Sequence, residues 1–423
     1  MALDAIVLAD ADVARVKIAG LSARDRAARI AQRLGARTLV ITDAADRAQL
    51  TAWRGGRDVP VLVIRADQLV HTPLVAPLIA APEAPLAIAV GPDNDYGGAF
   101  LARGEAATRA VEALARGESD VAIAATADVR VPHGEIARHP IATAEDQRGA
   151  QALLFRLLIK PQDNVITRYL FRPISSRISR LLVHLPITAT QVSIVVAILV
   201  ALGCWMTLSP RTEMMIGGAL VILFATYLDC CDGEIARIKL QASTFGAWLD
   251  TIVDELSSIG YMLAIGWHCH LVYGPNYFGD LGFDPWIASI WIGLAIYLWC
   301  LFGIYYNIIV GVGSANSQDY VQHFIIVPGS RPGSVRLAPK PPKERNWPRW
   351  AKPIIDFLPN IVRRDFIVWL AASYAVFNVP HLSFATHVLG GVVSGAMIMI
   401  SFFHLRAVRR AARKQGVLEP PKR

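Results

Sequence analysis

Four aspartates that stand close together in the chain form the pattern with the clearest chemical meaning. Asp229 and Asp232 are three residues apart, and Asp250 and Asp254 are four apart. On helices, both spacings place the pair on one face. Each pair lies at the end of a long apolar segment, and only a short turn joins the two segments. All four carboxylates can therefore converge on one point, which predicts a metal site.

The position of these acids beside apolar segments has a cost that cations can offset. An isolated charged carboxylate in hydrocarbon costs roughly 2.5–3.5 kcal/mol on insertion scales, and four together also repel one another. Oxygen-rich sites suit Mg²⁺ or Mn²⁺. The small residues Gly233, Ala236 and Gly246 allow a helix or a ligand to approach the backbone closely. The alternative is that the acids pair with nearby arginines or face water.

The elements that carry the aspartates belong to a strongly apolar second half of the chain. The whole chain is 54% hydrophobic and 18% charged, which is too apolar for an ordinary soluble protein. Segments of this length cross a bilayer as helices, so we expect an all-α domain of six membrane spans at residues 186–410. The apolar segments are 187–208, 214–231, 246–272, 284–313, 365–381 and 384–405.

The basic residues predict how these spans are oriented. They cluster at Arg168–Arg180, Arg237–Lys239, Arg331–Arg364 and Arg406–Lys414, whereas the alternate loops hold only Arg211. By the positive-inside rule, both termini, the aspartates and a basic tail at 411–423 face the cytoplasm. We therefore expect an integral protein of the inner membrane of a bacterium or archaeon. The net charge of +8 is explained by lipid headgroups, and no nucleic acid is expected as a partner.

The first 145 residues have the character of a soluble α/β domain. Short apolar runs at Thr38–Thr42, Val59–Ile64 and Leu86–Val90 predict buried strands. Residues 146–185 follow as a linker, in which Asn164–Val183 mixes arginine with Ile, Leu, Tyr and Phe. This mixture predicts an amphipathic helix along the cytoplasmic membrane surface; a plain linker is the alternative.

The pattern D-x2-D-G-x2-A-R-x8-G-x3-D-x3-D, which runs from Asp229 to Asp254, resembles the signature of the CDP-alcohol phosphatidyltransferase family. The resemblance implies a six-helix membrane fold that transfers a substituted phosphate from a CDP-linked donor to a hydroxyl acceptor and releases CMP. It also implies a centre of two Mg²⁺ or Mn²⁺ ions and a base, Asp254. The implied metal ligands are Asp229, Asp232, Asp250 and Asp254, and the implied donor contacts are Asp229, Gly233, Ala236, Arg237 and Gly246.

A longer similarity is to fused inositol-phosphate cytidylyltransferase/di-myo-inositol-phosphate-phosphate synthase proteins. It includes Lys160–Asp163, Arg172–Ser175, Pro186–Thr188 and Arg363–Phe366, but Ala189-Thr190 stands where many relatives have Pro-Asn. The first domain resembles the nucleotidyltransferase-like cytidylyltransferase half.

The glycine-rich phosphate loop of that half is missing, and Gly20 and Arg24 stand alone. We therefore expect a degenerate domain that serves assembly, regulation or weak nucleotide binding. Asp67 occupies the place of a metal-binding aspartate.

A phosphorylated acceptor needs fixed cations, and the candidates are Arg168, Arg172, Arg363 and Arg364. They can equally serve as positive-inside residues that contact lipid headgroups. The acceptor is either a polyol phosphate or a lipid alcohol, and a homodimer is expected.

Two other classes of protein are alternatives to an enzyme. An ion transporter predicts acids spread through the membrane depth, and an inactive scaffold predicts loss of at least one aspartate.

Overall fold

The structure is a computed structural model that describes residues 2–81, 83–158, 166–314, 319–341, 348 and 363–420. The chain forms two compact units. The N-terminal unit comprises Met1–Lys160, Ser179–Pro186 and Glu234–Gln241, and the helical unit comprises the rest. The predicted contact segment Lys160–Asp163 and the basic residues at 342–347 and 349–362 lie outside the described residues.

The N-terminal unit is built on a mixed six-stranded sheet, which confirms the predicted α/β domain. The strand order is β4-β1-β5-β8-β7-β9. Strand β1 pairs in parallel with β4 and β5, whereas β8 runs antiparallel to β5 and β7. The strands are β1 (Leu3–Leu8), β2 (Lys17–Ile18), β3 (Leu21–Ser22), β4 (Ala36–Ile41), β5 (Val61–Arg65), β6 (Gln68–Val70), β7 (Leu86–Val90), β8 (Tyr96–Ala102), β9 (Val129–Pro132) and β10 (Arg138–Pro140).

Both faces of this sheet are covered, because side chains alternate between two cores. On β5, Leu62 and Ile64 enter one core, and Val61 and Val63 enter the other. Strands buried on both faces consist of nearly continuous apolar residues, which is why the sequence pattern located them. The helices of the unit are α1 (Ala23–Arg33), α2 (Ala44–Ala48), α3 (Leu50–Arg54), α4 (Thr72–Ala80), α5 (Gly104–Ala115), α6 (Asp120–Ala124) and α7 (Ala144–Arg156).

Gly20, which stood alone in the sequence, has a structural reason to be glycine. Its φ angle is +78°, and a Cβ atom there would lie 2.0 Å from the carbonyl oxygen of Val183. The residue allows the turn before α1 and the segment around Val183 to pack in one unit.

Gly20→Ala should therefore lower the thermal unfolding midpoint of the purified chain, since alanine would both strain the left-handed backbone and clash with the carbonyl oxygen. We expect a loss of about 2 kcal/mol or more. Gly35→Ala is the matched control, because Gly35 has a φ of +76° but a Cβ atom there would meet no described atom within 4 Å beyond its chain neighbours. Equal midpoints for the two variants would contradict the role of the close contact.

The helical unit contains a helix in each of the six apolar segments. Helix α8 (Arg172–Leu182) precedes them, and a π-helical turn, Thr167–Phe171, leads into it. The helices of the segments are α9 (Ala189–Thr207), α10 (Thr212–Ile238), α11 (Thr244–Tyr273), α12 (Pro285–Asn307, extended by a π-helical turn at Ile308–Val312), α13 (Arg364–Val376) and α14 (Pro380–Gln415).

Four of these helices are long and apolar enough to cross a membrane: Ala189–Thr207, Thr212–Ile238, Pro285–Val312 and Pro380–Gln415. Helix α11 has the length but carries Asp250, Asp254 and Glu255 in its first half. The 13 residues of α13 extend only about 20 Å, against about 30 Å of hydrocarbon. The described residues thus support four spans, and six remains a prediction.

Small residues bring α9 and α10 into close contact. A Cβ atom on Gly218 would lie 2.5 Å from the carbonyl oxygen of Gly203, so the two backbones approach as glycine allows. Buried Met215, Met262 and Phe384 belong to the apolar core that α10, α11 and α14 share. This core holds the helices that carry the aspartates.

A small sheet of β11 (Phe324–Pro328), β12 (Ser334–Pro339) and β13 (Val417–Leu418) was not predicted. Its last strand comes from the basic tail. Glu419 accepts hydrogen bonds from the hydroxyls of Ser330 and Ser334, and these bonds lower the pKa of Glu419 to about 2. The tail therefore pairs with the loop that follows α12.

Candidate metal centre and transfer site

The site forms where the last part of α10 meets the first part of α11. Asp229 lies on α10, and Asp250 and Asp254 lie one turn apart on α11. Each offers one carboxylate oxygen, and these oxygens all lie within 4.8 Å of one another. Three of the four predicted ligands thus converge.

The start of α11 is set by a side-chain cap. Ser243 is the N-cap residue, and its hydroxyl accepts a hydrogen bond from the backbone N–H of Gly246 at 3.0 Å. A Cβ atom on Gly246 would lie 3.1 Å from the Ser243 hydroxyl and 3.8 Å from that of Thr190. Gly246 therefore keeps the start of α11 close to Thr190 in the first turn of α9.

Asp232, the fourth predicted ligand, is held separately. Its side chain is buried, and Asp232 Oδ2 accepts a hydrogen bond from the hydroxyl of Ser193 on α9 at 2.5 Å. A hydrogen bond from a neutral hydroxyl stabilises the carboxylate while leaving its negative charge in place. The role of Asp232 as a ligand stays a prediction, and Ser193 orients the group that would play it.

Arg364, the first residue of α13, contacts the aspartates directly. Its Nη2 lies 3.7 Å from Asp229 Oδ2, and its Nη1 forms an ion pair with Asp254 Oδ1. Sequence reasoning placed Arg364 among the acceptor contacts without linking it to these acids. The interpretation in which arginine pairs with the aspartates thus applies to Asp229 and Asp254.

The other predicted acceptor arginines differ in exposure. Arg168 and Arg363 are exposed, and Arg172 is half-buried. Of the donor contacts, Ala236 and Arg237 belong to the N-terminal unit, and Gly233 to the helical unit. Their roles toward the donor stay predictions.

Two further residues of the site were missed from the sequence. Asp365 follows Arg364, and its Oδ2 accepts a hydrogen bond from the hydroxyl of Thr167 at 3.0 Å. Ser193 is the other. Neither residue lies at a helical spacing from one of the four aspartates in the sequence, because each reaches the site from a different helix through packing. The signal for Asp365 was its place in Arg363–Phe366, one of the segments that resemble the fused synthase proteins.

The donor set fits a divalent cation of the Mg²⁺ type. Two ligands of one octahedral ion, each at about 2.1 Å, lie about 3 Å apart when adjacent and about 4.2 Å when opposite. The carboxylate oxygens within 4.8 Å are thus near the required separations. Asp254 Oδ1 also has no hydrogen-bond donor among the described residues apart from its ion pair with Arg364. Asp229, Asp250 and Asp254 could hold a metal with small side-chain movements.

Ser193→Ala should weaken Mg²⁺ binding at this site by about 10–100-fold, which is the usual effect of losing a residue that orients a metal ligand. The measurement is the Mg²⁺ concentration that gives half-maximal activity. Ser373→Ala is the matched control, because the Ser373 hydroxyl is bonded to a backbone carbonyl of its own helix. An unchanged Mg²⁺ requirement in Ser193→Ala would show that Asp232 needs no such support.

Comparison with known proteins decides the family of this region. Residues 184–317, which include all four aspartates, match the family model for CDP-alcohol phosphatidyltransferase. The chain contains a CDP-alcohol phosphatidyltransferase domain. The transferase domain begins just before α9 and extends past α12, so both aspartate-bearing helices lie within it.

Curated relatives of this chain are named "Bifunctional IPC transferase and DIPP synthase". The protein of Aquifex aeolicus is 31% identical over 148 residues, which is 35% of this chain and 32% of the relative. That of Thermococcus kodakarensis is 34% identical over 114 residues, 27% of this chain and 25% of the relative. That of Rubrobacter xylanophilus is 36% identical over 113 residues, with the same two shares. The matched region thus spans a third or less of these relatives.

Proposed function

We propose that this protein is a membrane CDP-alcohol phosphotransferase, which transfers a substituted phosphate from a CDP-linked donor to a hydroxyl acceptor and releases CMP. The observation that carries the proposal is the convergence of Asp229, Asp250 and Asp254 within 4.8 Å inside a domain of that family. The inactive scaffold is disfavoured because all four aspartates of the motif are present. The transporter is disfavoured because these acids gather at the joined ends of two helices.

The proposed roles follow from exposure and contacts. Two Mg²⁺ or Mn²⁺ ions would neutralise the donor pyrophosphate and stabilise the charge that develops on the leaving CMP. Asp254 takes the proton of the acceptor hydroxyl, since its side chain is 36% exposed against 16% for Asp229. Asp229, Asp232 and Asp250 serve as metal ligands, and Asp254 also contacts a metal ion. Arg364 now offsets the charge of Asp229 and Asp254, a role that bound cations would take over.

The proposed acceptor is a polyol phosphate of the inositol phosphate type, and a lipid alcohol is the alternative. The names of the relatives support a headgroup reaction of this kind. Exposed Arg168 and Arg363, with Arg172, are the proposed contacts for the acceptor phosphate.

The N-terminal unit is not expected to make the donor. Asp10, after β1, pairs with Arg47 at 2.5 Å, and the carboxylate of Asp67 pairs with Arg65. The segment after β1 also lacks the glycine-rich phosphate loop that would hold the triphosphate of CTP. The proposed roles of this unit are assembly, regulation or weak nucleotide binding.

The proposed setting is the inner membrane of a bacterium or archaeon, with six spans, a homodimer, and both termini and the site in the cytoplasm. Helix α8 supports attachment to the membrane surface. It exposes Ile174 and Leu181 to solvent and buries Ser175 and Ser179, which is the reverse of a helix on a soluble protein. A lipid surface would cover the exposed apolar side chains.

The test is to incubate the purified protein with Mg²⁺ and a panel of CDP-alcohols, each against soluble and lipid acceptors, and to measure CMP. We expect one donor and acceptor pair to release CMP in proportion to the phosphodiester formed. CDP-inositol with inositol phosphate and CDP-diacylglycerol with inositol phosphate separate the two donor classes. If no pair releases CMP, the proposed function is wrong.

A further inference from the structure

The N-terminal unit contains a cationic cavity of about 290 Å³ whose lining residues, Arg237 apart, have no role in the proposed transfer reaction. Arg26 and Arg33 of α1 line it, together with His71 and Thr72 at the start of α4. Arg237 lines it as well, and leucines of α7 such as Leu154 form an apolar wall. None of the described residues that line the cavity is acidic.

Arg26 is a buried cation that forms no ion pair with any acid in the part of the chain that the structure describes. Its side chain is 1% exposed, and its Nη2 donates a hydrogen bond to the carbonyl oxygen of Ile238 at 2.6 Å. Its Nε and Nη1 have no hydrogen-bond partner among the described residues. Burial, with the charges of Arg29 and Arg33, lowers the pKa of Arg26 to about 10, so it is still protonated at neutral pH. A buried charge without a partner is costly.

His71 adds a second polar group without a partner. It is the N-cap residue of α4, and its Nδ1 is buried with no hydrogen-bond partner among the described residues. Burial and the charges of Arg26 and Arg33 lower the pKa of His71. A neutral imidazole can donate one N–H bond without adding to the repulsion among the arginines.

We infer that this cavity binds a phosphate-bearing anion, either inorganic phosphate or a small phosphate monoester, through Arg26 and Arg33 with His71. Arginine matches phosphate oxygens in a bidentate manner, and a phosphate group can neutralise more than one guanidinium. The leucines of the apolar wall leave room only for a phosphate monoester whose organic group is small and uncharged. The inference does not depend on the proposed transferase activity.

The test is calorimetric titration of the full-length protein with inorganic phosphate and with glycerol phosphate, in EDTA and low chloride. EDTA excludes phosphate bridged by metal at the aspartates. We expect one site per chain, with binding about tenfold weaker or more in Arg26→Gln and in Arg33→Gln. Arg33 is exposed, so its replacement does not threaten the fold if Arg26→Gln is unstable.

Arg24→Gln is the matched control on the same helix, because Arg24 is outside the cavity lining and lies 3.8 Å from Asp25. Its affinity should equal that of the unaltered chain. A second readout is the His71 imidazole, whose pKa should rise when phosphate binds. Binding of neither probe, or equal binding by Arg33→Gln and the unaltered chain, overturns the proposal.

Discussion

Asp254→Asn should lower the rate of CMP release by about 10³-fold. Asparagine keeps the shape of the side chain but cannot take a proton, and general base catalysis contributes about 10²–10⁴-fold. Loss of one anionic ligand from the group of Asp229, Asp250 and Asp254 adds to the effect. The measurement is the turnover of the donor and acceptor pair that the panel identifies, with donor affinity determined separately.

Glu255→Gln is the matched control for this prediction. Glu255 is the next residue on α11 and is half-buried, so the change removes the same charge without touching the three converging carboxylates. We expect its activity to stay within about twofold of the unaltered enzyme. Thermal unfolding of Asp254→Asn should be followed as well, since the variant also loses the ion pair with Arg364. A folded Asp254→Asn protein that keeps a tenth of the activity would refute the role of base.

Removal of divalent metal should abolish CMP release completely and reversibly. The cluster consists of oxygen ligands alone, and four carboxylates without cations repel one another and the donor pyrophosphate. Activity should return with Mg²⁺ or Mn²⁺ after chelation and washing. In Asp250→Asn, the Mg²⁺ concentration for half-maximal activity should rise about tenfold or more. CMP release that continues in excess EDTA would contradict the metal centre.

Arg364 gives this prediction a structural control. Its guanidinium contacts Asp229 and Asp254, so it offsets part of their repulsion. Arg364→Gln should therefore be less stable than the unaltered chain in EDTA, and Mg²⁺ should raise its unfolding midpoint by a larger amount. Ligand binding to the folded state alone stabilises it by mass action. An equal Mg²⁺ response in the two proteins would mean that Arg364 and the metal occupy independent positions.

Some features could be predicted from the sequence because they depend on local spacing. The runs that became β4, β5 and β7 are apolar and bounded by turn residues, so the ends of these strands were predicted to within two residues. Each long apolar segment contains a helix for the same reason. The number of membrane crossings is harder to predict from the sequence, because α11 carries acidic residues and α13 has only 13 described residues.

The sequence by itself determined the four aspartates, their pairing on two successive helices and the family of the domain that holds them. Helical periodicity fixes which residues of one helix share a face, so Asp250 and Asp254 could be paired without coordinates. Only the tertiary structure decided that Arg364 contacts Asp229 and Asp254, that Ser193 holds Asp232, and that Arg26 is buried beside the backbone of Ile238. These partners are far apart in the chain and meet because separate elements pack within each unit, which no spacing along a single helix records.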